Sequence, residues 1–205
     1  MQAGAAELLA PGRYRLTRLL RGQRGTESAM GNPVPAGAQV VVLDDSLASL
    51  PIAEADLGIP WNWRIGPAAR AVSDPSYVAL AFSPAGRGLV PFSVGGVEQP
   101  WLHGRTPGDL TIRWTRRDRA LVSDSWEAVE VPMSEASEAY EVDILAGATV
   151  KRTLSVAAPS ALYTAAQQTA DWGATLGPGG SLDIRIAQLS ARLGRGTTRT
   201  ATLNF

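Results

Sequence analysis

Apolar and polar positions alternate most regularly in the second half of the chain. Leu110-Thr-Ile-Arg-Trp114 has period two, so Leu110, Ile112 and Trp114 share one face of a strand. Tyr140, Val142 and Ile144 do the same within Ala139–Leu145, and after Ala146-Gly147 the run from Thr149 to Val156 completes a hairpin. A short helix-compatible stretch, residues 165–170, is followed by the chain-breaking Gly-Pro-Gly-Gly of 177–180. Leu182, Ile184 and Ile186 alternate again, and Thr200–Phe205 reads as a last strand. Five or six strands over residues 108–205 is the strand count of a β-sandwich.

The first half is patterned more loosely. Its expected strands are Tyr14–Leu20, Gln39–Leu43, Tyr77–Phe82 and Leu89–Val94. They are bounded by turn residues: Pro11-Gly12, Gly22–Gly25, Gly31-Asn32-Pro33, Pro35–Gly37, Asp74-Pro75 and Gly86–Gly88. Only Ser46–Leu57 leaves room for a turn or two of helix. The pattern predicts an all-β chain with a β-rich, barrel-like domain over 1–107 and a sandwich over 108–205. The boundary is placed in the Gly- and Pro-rich passage between Val94 and Asp109.

Composition narrows the function classes. Nineteen basic residues balance nineteen acidic ones, and cutting at Pro107 leaves nine against eight before it and ten against eleven after it. Neither half has the basic excess of a general nucleic-acid binder, and nucleic acid is not expected as a partner. Without cysteine the chain has no disulfide, thiolate ligand or thiol nucleophile. No apolar run approaches the roughly 18 residues of a membrane span, so membrane insertion is not expected. The small-residue opening, Met1–Glu7, leads straight into strand-like sequence, as a piece of a longer polypeptide would.

Candidate chemistry is sparse. The one histidine, His103, lies in Trp101-Leu-His-Gly-Arg105 without a nearby nucleophile, so neither a catalytic triad nor a zinc site is expected. Asp44-Asp45, Asp124, Glu127, Glu130, Glu135 and Glu138 are numerous enough for acid–base work on glycosides, but nothing in their spacing sets two across a bond; Glu127–Glu141 reads as an acidic surface loop. Gly86-Arg-Gly88 and Gly194-Arg-Gly196 lack the spacing of phosphate loops and read as turns. Arg18, Arg21 and Arg24, like Arg116, Arg117 and Arg119, could meet phosphate, yet nearby Glu27 and Asp118 favour ion pairing or a protein interface. Trp61 and Trp63, in Pro-Trp-Asn-Trp, face the same way if extended and are the candidates for stacking on a sugar, against the commoner use of tryptophan in a core or interface. No catalytic residue, metal ligand or cofactor site is expected.

Leu-x-Ile-x-Trp at 110–114, Tyr-x-Val-x-Ile at 140–144 and Leu-x-Ile-x-Ile-Ala-Gln-Leu-Ser-x-x-Leu-Gly-x-Gly at 182–196 resemble a fibronectin type III domain, except that Leu182 stands where that family usually has its corner tyrosine. Ala10-Pro-Gly-Arg-Tyr-Arg-Leu-Thr-Arg-Leu-Leu-Arg-Gly-Gln-Arg-Gly-Thr-Glu27 resembles a segment of the tail-tip (baseplate hub) proteins of gene transfer agents and related siphophages. Trp114–Arg119, Tyr140–Leu145, Tyr163–Gln168 and Leu193–Gly196 resemble motifs of the C-terminal end of the same proteins, which are much longer than this chain. The resemblance implies a non-enzymatic virion or gene transfer agent component at the tail tip, made in the cytoplasm, contacting other tail and baseplate proteins or host-envelope glycans. The alternative is a carbohydrate-binding accessory module using Trp61 and Trp63.

Overall fold

A computed structural model describes residues 1–97, 105–120 and 131–205. The described residues are mainly β, in antiparallel sheets, with one α-helix. They gather into two compact units, Met1–Pro33 with Leu89–Phe205, and Val34–Gly88. The compact units are thus cut differently from the expected spans 1–107 and 108–205. The reason is visible in the residues just before the Gly- and Pro-rich passage: Val94 is buried in the sandwich core and Val97 bridges to Trp114.

The sandwich is built from two sheets. Strands β5 (Leu110–Arg113) and β8 (Ser160–Tyr163) form one. The other centres on β6 (Tyr140–Ala146) and β9 (Ser181–Ser190), with β7 (Thr149–Val156) beside β6, and β10 (Gly194–Arg195) and β11 (Arg199–Asn204) both on β9. The alternating residues turn inward as period two requires. Leu110, Ile112, Trp114, Tyr140, Val142, Ile144, Leu182, Ile184, Ile186 and Leu203 are each no more than 3% exposed. Trp114 meets Tyr140 edge to face at 5.2 Å, the arrangement that opposes a positive ring edge to a negative ring face. This is a β-sandwich as the alternation predicts, with buried Leu182 opposite Leu203.

Helix α1 (Ala165–Trp172) follows β8 because Thr164 and Gln167 close a capping box: the Gln167 N–H donates to Thr164 Oγ1 at 3.2 Å and the Thr164 N–H to Gln167 Oε1 at 2.9 Å. Gly173, at φ +82°, ends the helix ahead of the Gly-Pro-Gly-Gly run. Gln168 is fully buried and satisfied, donating to the carbonyls of Gly108 and Tyr163 and accepting from the Leu176 N–H.

The first half is β-rich and is built from antiparallel ribbons. Strands β1 (Gln2–Ala10) and β2 (Arg13–Leu20) pair across Pro11-Gly12, where Gly12 takes φ +71°, and Leu9 is an extra residue in the register. In the second unit β3 (Trp61–Ile65) pairs β4 (Val78–Phe82). Two expected strands do not form. Leu89–Val94 is irregular because Pro91 has no N–H to give a ladder, and its carbonyl instead accepts from Thr197 at 3.0 Å. Gln39–Leu43 pairs with no strand among the described residues, and Ser46–Leu57 holds only the 3-10 turn Glu54–Asp56.

Candidate functional site

The arginines resolve first. Arg116 pairs with Glu138 at 3.1 Å, Arg117 with Glu27 at 2.6 Å, and Arg119 with Glu135. Asp118 accepts from the backbone N–H groups of Ala120 and Ser134 and from the Ser134 hydroxyl. Burial pushes its carboxyl up, but these hydrogen bonds and the charge of Arg119 outweigh it and hold the group below its ordinary range. Trp114–Arg119 is therefore a clamp: the tryptophan enters the core while the charges behind it bind Glu27, Glu135 and Glu138. Ion pairing is realised for this trio. Glu135, read from sequence as part of an acidic surface loop, is only 8% exposed.

The other motif residues are also used structurally. Asp143, 1% exposed on the outer face of β6, accepts from Arg185 at 2.8 Å, Arg195 at 2.5 Å and Thr153 at 2.8 Å. Its burial is unfavourable to charge, yet the bonds from Arg185, Thr153 and Arg195 prevail and keep its pKa below the usual value. Asp171 on α1 takes two bonds from Arg152, at 2.7 and 2.8 Å, and one from the Tyr163 hydroxyl, which in turn accepts from the Trp172 indole N–H at 2.9 Å. The Arg152 bonds lower the Asp171 pKa, and burial followed by the bond to Asp171 raises that of Tyr163, so the phenol stays neutral. These groups lock one helix and five strands together.

Of the glycine-flanked arginines, Arg87 opens the 3-10 turn Arg87–Leu89, and Arg195 lies in the short strand β10 rather than in a turn. Gly86 and Gly194 take φ +59° and +73°, and Arg195 is committed to Asp143 and Glu141. His103, Asp124, Glu127 and Glu130 lie outside the described residues. Among the described residues no group of three or more acidic or histidine side chains is placed to hold a metal ion, and no helix is long and apolar enough to cross a membrane.

The expected contact residues fall in different places. Arg18 sits within β2 at φ +51°, so close to β1 that a Cβ on Gly4 would lie 3.0 Å from its own. Arg21 donates to the Gly31 carbonyl at 2.5 Å, and Arg24 belongs to the 3-10 turn Gln23–Gly25. Trp61 and Trp63 do come together, on one face of β3, with centroids 5.4 Å apart and planes 22° from parallel. Each ring spends a face on the other. A sugar platform needs those faces side by side and open, and Trp63 also has its indole N–H shielded.

What sequence reasoning missed is the extent of uncovered apolar surface. On β1–β2, Ala6, Leu8, Tyr14, Leu16 and Leu20 share a face by register, and the four large side chains are 38–61% exposed. On β3–β4, Trp61, Trp63 and Ile65 stand opposite Phe82, Leu80 and Val78. Val40–Leu43 are 66–86% exposed. Exposed apolar faces of this kind are uncommon on a monomeric surface. Tyr14–Leu20 and Tyr77–Phe82 carry part of the signal in the sequence, but nothing in a pattern says whether the chain itself supplies the cover.

Residues 1–41, containing β1–β2, match the family described as Rcc01698-like, C-terminal, which is related to gene transfer agents. No curated protein matches the chain. Among solved structures it is similar to the rat CD45 extracellular region, domains d3-d4, with 8% identity over 98% of this chain and 97% of that one and a TM-score of 0.34.

Proposed function

We propose that the chain is a non-enzymatic structural component of a phage-like tail, placed at its tip or baseplate, that works by assembly with other tail proteins or contact with the host envelope. The observation that carries this reading is the exposed apolar face of β1–β2, which lies within the segment matched by a gene-transfer-agent-related family. Motif residues spent on clamps and caps agree with a scaffold whose chemistry is adhesion. Immunogold electron microscopy with antibody against this chain tests it in particle-producing cultures. Label at the distal end of tails is the expected result; particles without label overturn the reading. A carbohydrate-binding module, the second candidate, is less favoured because Trp61 and Trp63 stack on each other.

A further inference from the structure

We infer that Gln39–Leu43 is a strand donor, adding itself in the assembled state to the open edge of a β-sheet in another protein, an edge with apolar residues on both faces and a basic residue where the donor ends. The inference rests on the assembly reading and names one of its contacts.

The segment has the sequence of an interior strand and the surroundings of none. Val40, Val41 and Val42 are β-branched, and with Leu43 they form an apolar run on both faces of an extended chain, the pattern of a strand covered on both sides. Turns bound it. Gly37 at φ +83° precedes it, and Asp44 closes it by accepting from the Ser46 N–H at 3.0 Å and the Ser46 hydroxyl at 2.5 Å. Among the described residues none of Gln39–Leu43 has a backbone hydrogen bond, and Val40, Val41, Val42 and Leu43 are 69, 66, 71 and 86% exposed.

The unmet needs of the segment identify its partner. Apolar side chains alone could be covered by lipid, but lipid gives nothing to five residues of unpaired backbone. A helix in a groove would pair its own backbone, yet a run this short, rich in β-branched residues and fixed by turns, does not sustain one. A second copy offers free edges on β1–β2, β3–β4, β7 and β11, but only one face of each is apolar; the other carries Glu7 and Arg15, Asn62 and Arg64, Lys151 and Thr153, or Thr200 and Thr202, and would leave half the donor uncovered. A sheet covered on both of its faces and open at one edge satisfies both faces and the ladder together. Such edges are commonly guarded by lysine or arginine, and Asp44-Asp45 supplies the matching charge at the donor's end.

The test compares full-length tagged wild type, Val41→Thr and Val41→Pro in purified particles. Threonine keeps the shape and the N–H, whereas proline removes the N–H from the ladder. Thermal melts of the isolated chains should superpose, because the segment is exposed, and this separates lost contact from misfolding. A modest loss for Val41→Thr, from its buried hydroxyl, and a further drop of about tenfold or more for Val41→Pro are expected. Amides of 39–43 should exchange freely in the isolated chain and about a hundredfold more slowly in particles. Equal incorporation of the proline variant, or no protection in particles containing the wild type, overturns the donor while leaving the assembly reading standing. Wild type absent from particles overturns both. A dimer of the isolated chain in light scattering that the proline variant dissolves identifies a second copy as the occupant and overturns the inference as stated.

Discussion

The sheet of β6 and β9 and the ribbon of β3 and β4 follow one local rule and end differently. In both, apolar residues occupy alternate positions of antiparallel strands. Val142, Ile144, Ile184 and Ile186 are fully buried, whereas Ile65, Val78 and Leu80 are 61, 67 and 53% exposed. The sandwich collects the hydrophobic gain within the chain because a second sheet, β5–β8, lies over the first. The ribbon has the same kind of face and, among the described residues of its own unit, no second sheet over it. An alternating pattern therefore states that a face must be covered; the cover is a separate question, which a single chain answers only for its own sheets.

The contrast is sharpest where stability is measured. Trp114→Ala should cost about 3–5 kcal/mol, the range for deleting a large buried aromatic, read as a lowered urea midpoint. An unchanged midpoint breaks the claim that the 110–205 sheets carry the core. Asp143→Asn should cost about 1–2 kcal/mol, since it weakens charge-assisted bonds to two arginines that keep some solvent contact.

Asp143 and Asp171 have folded pKa values below their unfolded ones. Their contribution is thus present above the unfolded carboxylate value of about 4 and is lost as pH falls through the folded value. Thermal midpoints should hold steady from neutral pH to about pH 5 and then fall, with a shallower fall in Asp143→Asn. At the small end, Leu8→Ser with Leu20→Ser on the uncovered ribbon should shift stability by less than about 0.5 kcal/mol and reduce binding of an apolar dye. A loss comparable to Trp114→Ala would mean that this face is covered in the isolated chain. On a glycan array the chain should give no signal that Trp61→Ala and Trp63→Ala abolish; such a signal would restore the sugar-binding reading.

Much of the sandwich was legible because its longer strands have a strict alternation and a turn at their ends. Leu110–Trp114, Tyr140–Leu145 and Leu182–Ile186 all face as expected. Strand β8 was not legible: Ser160–Tyr163 is too short to show a period, and its pairing with β5 is set by tertiary contact. Nor was β1 as a full strand, since Ala3, Ala5 and Ala6 have little strand preference of their own and are held by pairing to β2. Gln39–Leu43 errs in the opposite direction, with strong local preference and no partner. Of the candidate contacts, the facing of Trp61 and Trp63 followed from parity along a strand. Their mutual stacking depends on rotamers, which composition and spacing do not specify. The partners of Arg116 and Arg119 could not be fixed in advance, because acids were too many to choose among.

The Glu27–Arg117 pair joins positions 90 residues apart. During synthesis, the ribosome therefore releases β1–β2 well before it delivers the arginine that tethers the turn behind that ribbon. At ordinary elongation speeds this interval is about 5 to 20 seconds. For that time the exposed apolar face of β1–β2 lacks this tether and offers a surface that a chaperone at the tunnel exit can hold.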